Sequence, residues 1–429
     1  MERTIMESLE KWLNRKNRKP LIIKGARQVG KTWLMKEFGK KYFKYTAYVN
    51  FDNNEHMKEI FDQDYDIERI LMAVNIETHV KIIPKDTLII FDEIQENPRA
   101  IASLKYFYEK APEYVIIAAG SLLGVAIHKG ISFPVGKVDT IQLNPMSFRE
   151  FLLAIGENGL VDLIDHKDYK LMSSFRDKYI DWLKKYYYIG GMPEIVSSFI
   201  EEKDFTEVRY LQKRIIEMYE ADFSKHTTER ELPRIRMVWN SIPMQLAKEN
   251  KKFLFGKIKE RARAKDFEIA IEWLQDCGLI TKVYKVTKPA MPLKAYIDFA
   301  SFKLFLLDIG LLSAMSDLNA KSILEKNKIL TEFKGALTEQ YVLQQLISDT
   351  EFTPYYFTET KSEGEIDFMI QKESNIIPIE VKAEENLKAK SLKLFCEKYA
   401  PKEAIRTSMS DYREQEWMTN IPLWAITNL

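Results

Sequence analysis

The chain has 429 residues, 46% of them hydrophobic and 30% charged, with a formal net charge of +1 and two cysteines. That length is too great for one compact core and predicts three or four domains, while the near-zero charge excludes a chain that is polycationic in bulk and leaves only local clusters to meet polyanions. Cys277, Cys396 and five scattered histidines (His56, His79, His128, His166, His226) support neither a disulfide framework nor a zinc site. No apolar run approaches the roughly 18 residues of a spanning helix, and Met1-Glu-Arg-Thr lacks the features of a secretory leader, so a cytoplasmic protein with no membrane partner is expected.

The apolar run Leu21–Lys24 enters Gly25-Ala26-Arg27-Gln28-Val29-Gly30-Lys31-Thr32, and helix-forming residues follow from Trp33. Glycines at both ends of such a loop let the backbone wrap a polyphosphate, whose charge then faces N–H groups at a helix N-terminus. In the Gly-x-x-x-x-Gly-Lys-Thr pattern Lys31 reaches the outer phosphates and Thr32 ligates Mg²⁺. Gly25 to Trp33 are therefore the candidate nucleotide-binding residues.

Next comes Thr87-Leu-Ile-Ile-Phe-Asp92-Glu93-Ile-Gln95, which reads as a buried parallel strand ending in two carboxylates at a sheet edge. Asp92 would belong to the Mg²⁺ shell and Glu93 would orient the attacking water, which with Lys31 and Thr32 completes the parts needed to hydrolyse a nucleoside triphosphate. A solvated acidic turn is the bland alternative. ATP is favoured over GTP because no guanine-reading Asn-Lys-x-Asp motif is present. Candidate strands at Leu21–Lys24, Thr46–Phe51, Leu88–Phe91, Tyr114–Ala119 and Val138–Leu143, separated by helical segments, predict an α/β fold with a doubly wound parallel sheet over residues 1–150. The fourth strand ends at Ala119-Gly120-Ser121, where Ser121 is either a γ-phosphate sensor or a small turn residue.

From Phe148 to about Lys225 the apolar spacing is helical and predicts a lid, assigned to residues 151–228. Gly190-Gly-Met-Pro193-Glu194 interrupts it and reads either as a hinge or as a nucleotide-contact loop. Arg149, Arg209, Arg214 and Arg230 are candidates for a finger on a neighbouring active site. Residues 229–325 carry a helix stopped at Gly278, the alternating run Thr281–Val286 and a return strand at Ala295–Asp298, the pattern of a winged helix. Within them Lys248–Lys265 holds eight Lys or Arg against two Glu, an excess of six positive charges that reads either as a nucleic-acid contact or as a solvated helix.

Residues 326–429 bring a second constellation. Glu365-Ile-Asp367-Phe-Met-Ile and Ile376–Lys382 read as paired strands, and alternation puts Glu380 and Lys382 on one face of the second. Were pairing to set Asp367 opposite that face, two carboxylates could hold a divalent ion beside a lysine, as metal-assisted phosphodiester cleavage requires, with Glu339 as a further acid. A surface hairpin of mixed charge is the other reading.

Taken together, these stretches resemble a prokaryotic family of AAA+-type ATPases that join a phosphate-loop domain to a helical lid, a winged helix and a C-terminal domain of unassigned function with a PD-(D/E)XK nuclease-like core. The likeness is carried by Gly25–Thr32, Ile90-Phe-Asp-Glu-Ile-Gln, Ala119-Gly-Ser-Leu-Leu, Leu143-Asn-Pro-Met-Ser-Phe-Arg-Glu-Phe, Gly190-Gly-Met-Pro-Glu, Phe302–Leu312, Lys334-Gly-Ala-Leu-Thr-Glu-Gln, Gly364-Glu-Ile-Asp-Phe and Ile379-Glu-Val-Lys. It implies ATP at Gly25–Thr32, Mg²⁺ and hydrolysis roles at Asp92 and Glu93, a sensor near Ser121, and a nuclease-like metal site at Glu339, Asp367, Glu380 and Lys382. At Gly136 the chain departs from the family pattern, with Lys137 where an arginine is usual. The expectation is an ATP-binding, ATP-hydrolysing protein that binds or acts on nucleic acid, DNA rather than RNA, with a protein partner or a second copy of itself also open. The alternative is a nucleotide-dependent switch or interaction device whose nuclease-like domain does not cut.

Overall fold

The computed structural model describes residues 2–121, 133–248, 251–324, 331–359, 364–384 and 389–429. Leu122 and Leu123 of the Ala119–Leu123 stretch, Glu249 of the basic segment, and the expected boundary at 325/326 lie outside the described residues. Internal contacts divide the chain into two units, one of Glu2–Asn144 with Asp276–Gly278, the other of Pro145–Gln275 with Leu279–Leu429.

The first unit holds five parallel strands, β1 (Leu21–Lys24), β2 (Tyr45–Asn50), β3 (Thr87–Asp92), β4 (Val115–Gly120) and β5 (Asp139–Gln142), in the order β2-β3-β4-β1-β5. Every residue of β3 and β4 is buried, and the uninterrupted apolar runs Leu88–Phe91 and Val115–Ala119 reflect helices covering both faces. Phe51, Phe61 and Phe91 meet edge to face at centroid separations of 5.4 to 5.7 Å in the core. Helix Pro98–Lys110 follows β3 and begins where Pro98 needs no N–H partner and the Asn97 side chain accepts from the amides of Arg99 and Ala100. Because β1 lies between β4 and β5, and β3 between β2 and β4, the loops leaving the carboxyl ends of β1, β3 and β4 share one edge of the sheet.

The second unit opens with helices Phe148–Ala154, Asn158–Asp165, Tyr169–Ser174, Arg176–Ile189, Pro193–Glu202 and Phe205–His226. The first is started by a capping box, with Ser147 and Glu150 each bonding the other's backbone amide. The Gly190–Gly191 turn is packed inside the unit: the buried Asp308 carboxylate accepts from the Gly191 amide (2.6 Å) and from Gln344 Nε2 (3.0 Å), and the Met146 amide donates to the Gly191 carbonyl (2.7 Å).

After helix Ala264–Asp276 the chain forms an antiparallel pair, β6 (Ile280–Val286) and β7 (Ile297–Leu306). These two strands belong to one eight-stranded mixed sheet with β8 (Tyr355–Thr358), β9 (Glu365–Lys372), β10 (Asn375–Val381), β11 (Ile405–Ser408), β12 (Arg413–Gln415) and β13 (Met418–Pro422), ordered β12-β13-β11-β10-β9-β8-β6-β7. The hairpin expected with a winged helix is thus the edge of the C-terminal sheet, joined through β6–β8 pairing. Helix Thr331–Asp349 is tied to β7 and the residues after it by Gln340 and Gln344, whose side-chain oxygens accept from the amides of Leu306 and Ile309 (both 2.9 Å).

Candidate functional site

At the carboxyl edge of the first unit's sheet, the loop between β1 and helix Lys31–Tyr42 turns on two glycines. Gly30 adopts a positive φ of 93°, which costs glycine little, and a Cβ on Gly25 would lie 2.4 Å from the Leu143 carbonyl oxygen. Lys31 is buried and its ammonium donates to the carbonyls of Gly25 (3.0 Å) and Ala26 (2.8 Å), inside its own loop. Burial lowers its pKa to about 8, Arg27 adding to the fall while Glu93 and Asp92 oppose it.

Asp92, the last residue of β3, is buried and fully engaged. Its Oδ2 accepts from Thr32 Oγ1 (2.6 Å) and from the Tyr48 hydroxyl (3.0 Å), and its Oδ1 from the Glu93 amide (3.1 Å). Burial and the adjoining Asp92 push the Tyr48 phenol well up, so it remains a donor. Glu93 sits in the left-handed region at φ 49°, a conformation that costs a non-glycine residue energy and turns its side chain off the strand. Its Oε2 accepts from Gln95 Nε2 (2.6 Å) and Ser121 Oγ (3.4 Å), while Arg27 Nε donates to Ser121 Oγ (3.2 Å). Lys31, Thr32, Asp92, Glu93 and Ser121, drawn from three separate stretches, therefore meet with Arg27 at one edge of the sheet.

Three further residues belong to this site to which motif reading gave no role. Tyr48 and Gln95 hold the two carboxylates, and buried Arg3 donates to the Val29 carbonyl in the loop (Nη1, 3.0 Å) and to the Asn144 carbonyl (Nη2, 2.6 Å). Tyr48 could have been sought on β2 beside the acid strand. Arg3 has no local signature, since its partners lie 26 and 141 residues away.

Residues 17–152, which carry this loop and the acid strand, match the family described as AAA domain. Over those residues the first unit is similar to P-loop domains of the AAA type. Two other segments, 180–322 and 334–426, match families described as domains of unknown function (DUF8612 and DUF4143), and no curated protein matches. Among solved structures, the Walker-type ATPase PABY2304 of Pyrococcus abyssi is similar at 14% identity and TM-score 0.47, over 72% of this chain and 94% of that one. The ORC1 protein of Aeropyrum pernix, solved in complex with DNA, is similar at 13% identity and TM-score 0.27, over 73% of this chain and 90% of that one. No helix among the described residues is long and apolar enough to cross a membrane.

Outside the AAA domain, the charged residues near β9 divide into two groups. Lys303, fully buried on β7, pairs with Glu365 and with Glu339 Oε2 (3.4 Å), and Lys251 pairs with Glu339 from another side. Burial opposes charge on Lys303, but Glu339, Glu365 and Asp367 overcome it and hold its pKa above the ordinary value. Asp367 accepts from the Val381 amide (2.8 Å), and burial together with the Glu339 charge pushes its carboxyl up to about 7. Glu380 keeps separate company: its Oε1 pairs with Lys382 Nζ (2.6 Å) and its Oε2 accepts from the Leu392 amide (3.3 Å).

The expected metal set of Glu339, Asp367 and Glu380 is therefore not gathered, and among the described residues no three His, Cys, Asp or Glu side chains are disposed to hold a metal. A β-bulge contributes to this. Phe357 pairs with Ile366 and Tyr355 with Met369, so Asp367 and Phe368 both stand opposite Tyr356 and simple alternation fails at Asp367.

The remaining candidates also acquire contexts. Arg149 pairs with Asp165, Arg214 with Glu194, and Arg209 donates to Ser313 Oγ (3.1 Å) and the Leu318 carbonyl, while Arg230 is exposed. In the basic segment Lys251 and Lys248 are turned inward, to Glu339 and to Gln245, whereas Lys257, Lys259, Arg261, Arg263 and Lys265 are exposed.

Proposed function

We propose that the protein binds and hydrolyses ATP at the edge of the AAA-domain sheet and uses the cycle to alter its grip on nucleic acid. The observation that carries the first half is the convergence of Lys31, Thr32, Asp92, Glu93, Ser121 and Arg27. Lys31 is a buried ammonium whose partners are loop carbonyls, and a β,γ-phosphate would replace them with anionic oxygens. Thr32 and Asp92, already 2.6 Å apart, are hard oxygen donors fit to hold Mg²⁺, which when bound would neutralise phosphate charge. In the hydrolytic step Glu93 orients a water in line with the γ-phosphate and takes its proton, exchanging its bond from Gln95 for one from that water. Ser121 and Arg27 contact the γ-phosphate and stabilise the charge that spreads over its oxygens in the transition state.

The test is phosphate release beside nucleotide binding. Lys31→Ala should abolish most ATP binding, and Glu93→Gln should retain binding while lowering turnover by about 10²- to 10³-fold, the scale of losing a positioned base. Turnover by Glu93→Gln at the parent rate would refute the role given to that carboxylate.

For the second half, the five exposed cations from Lys257 to Lys265 are the motivating observation. The competing reading, a switch that docks protein, gains support from the inward commitment of Lys251 and Lys248. Salt dependence separates the two, because phosphate contacts release counterions. A log-log salt slope near zero for DNA and RNA alike, or no binding even at low salt, would favour protein docking.

A further inference from the structure

We propose that Lys303 is a permanent internal cation of the eight-stranded sheet, filling with its ammonium the position among Glu339, Glu365 and Asp367 that a divalent metal would need. That sheet is on this reading metal-free and does not cleave phosphodiesters. Lys303 stands in β7, between apolar neighbours Phe302 and Leu304, with no exposed surface. Its stem leaves the ammonium pairing Glu339 and Glu365 and lying 5.0 Å from the centre of the Tyr356 ring, the residue opposite the bulge that carries Asp367. Lys251 closes Glu339 from the other side, itself largely buried.

Charge and coordination both oppose a metal there. Two ammonium groups already offset Glu339 and Glu365, so a dication would leave an excess of buried positive charge even with Asp367 ionised. Magnesium also requires about six oxygens at roughly 2.0–2.1 Å, and the fully buried Lys303 side chain occupies the space between the carboxylates. Glu380, which could have added a ligand, is bonded to Lys382 and the Leu392 amide. With Lys303 in place, the carboxylates around it form no group of three fit for a metal.

A cation surrogate, unlike an ordinary buried ion pair, should be exchangeable for a metal. Manganese(II) chloride titrated into the full chain carrying Asp92→Asn, which silences the AAA-domain metal site, and read by electron paramagnetic resonance, provides the test. The expected result is no bound Mn²⁺ below about millimolar concentration in that background. Adding Lys303→Met should create one Mn²⁺ site, because the carboxylates are freed to close on the ion, and a further Glu339→Gln should remove it. Mn²⁺ bound in the Asp92→Asn background and lost on Asp367→Asn would overturn the proposal, and that comparison does not depend on any Lys303 variant folding. A folded Lys303→Met protein, checked by circular dichroism, that gains no Mn²⁺ would reduce Lys303 to a structural ion pair and would equally defeat it.

Discussion

Lys31 shows how one buried side chain can link nucleotide binding to pH. Without nucleotide its ammonium is desolvated and has only carbonyl partners, and its pKa sits at about 8. A bound polyphosphate favours the charged form and raises that value, so above pH 8 binding must take up a proton. The sign follows: affinity for ATP is flat below about pH 7.5 and weakens by up to about tenfold per pH unit above pH 8. Calorimetry in two buffers of different ionisation enthalpy measures the uptake directly. Equal heats at pH 9, with an affinity unchanged from pH 7, would show that Lys31 is already fully charged before nucleotide arrives. At this scale the glycines, Lys31, Thr32, Asp92 and Glu93 were legible because the loop and the acid strand are local patterns. Arg3 was not, since only the folded chain brings residue 3 to residues 29 and 144. Lys303 left a fainter trace, a single charge inside the apolar run Phe302–Leu307.

Among elements, the parallel strands of the AAA domain were readable from sequence because a strand buried on both faces is a continuous apolar run. The C-terminal strands show where that reading stops. Alternation assigns faces only while pairing is unbroken, and the bulge at Asp367 and Phe368 opposite Tyr356 leaves Asp367 in the Lys303 cluster while Glu380 bonds elsewhere. Nor could local pattern reveal that β6, which looks like the wing of a small unit, pairs with β8 about 70 residues on. The acid strand β3 also gives a stability prediction. Phe91 immediately precedes Asp92, is fully buried and packs against Phe51 and Phe61. Phe91→Ala should destabilise the AAA domain by about 3–5 kcal/mol. The cavity adjoins the strand end that positions Asp92, so ATP affinity should fall as well. Denaturant unfolding of the AAA-domain transition gives the first quantity, and a cost below about 1 kcal/mol would mean that the neighbouring rings refill the space.

For the molecule as a whole, a net charge of +1 across 429 residues means that attraction to nucleic acid, if it drives function, must be concentrated in the exposed segment Lys257–Lys265 and sensitive to salt. Coupling between that segment and the ATP site is then an exchange of free energy, and thermodynamics requires it to be reciprocal. If ATP changes the DNA dissociation constant by some factor, DNA must change the ATP dissociation constant by the same factor. Glu93→Gln makes the measurement possible, because on the proposed mechanism it holds ATP without consuming it. DNA affinity with and without ATP, and ATP affinity with and without DNA, should give one factor, of about 5- to 150-fold if the coupling has the usual size of 1–3 kcal/mol. Replacing Lys257, Lys259, Arg261, Arg263 and Lys265 by Glu should abolish DNA binding and leave ATP affinity in the absence of DNA unchanged. Were DNA binding strong, salt-dependent and indifferent to ATP, the nucleotide cycle would have to serve another partner, and the exposed basic segment would be an anchor with no part in the switch.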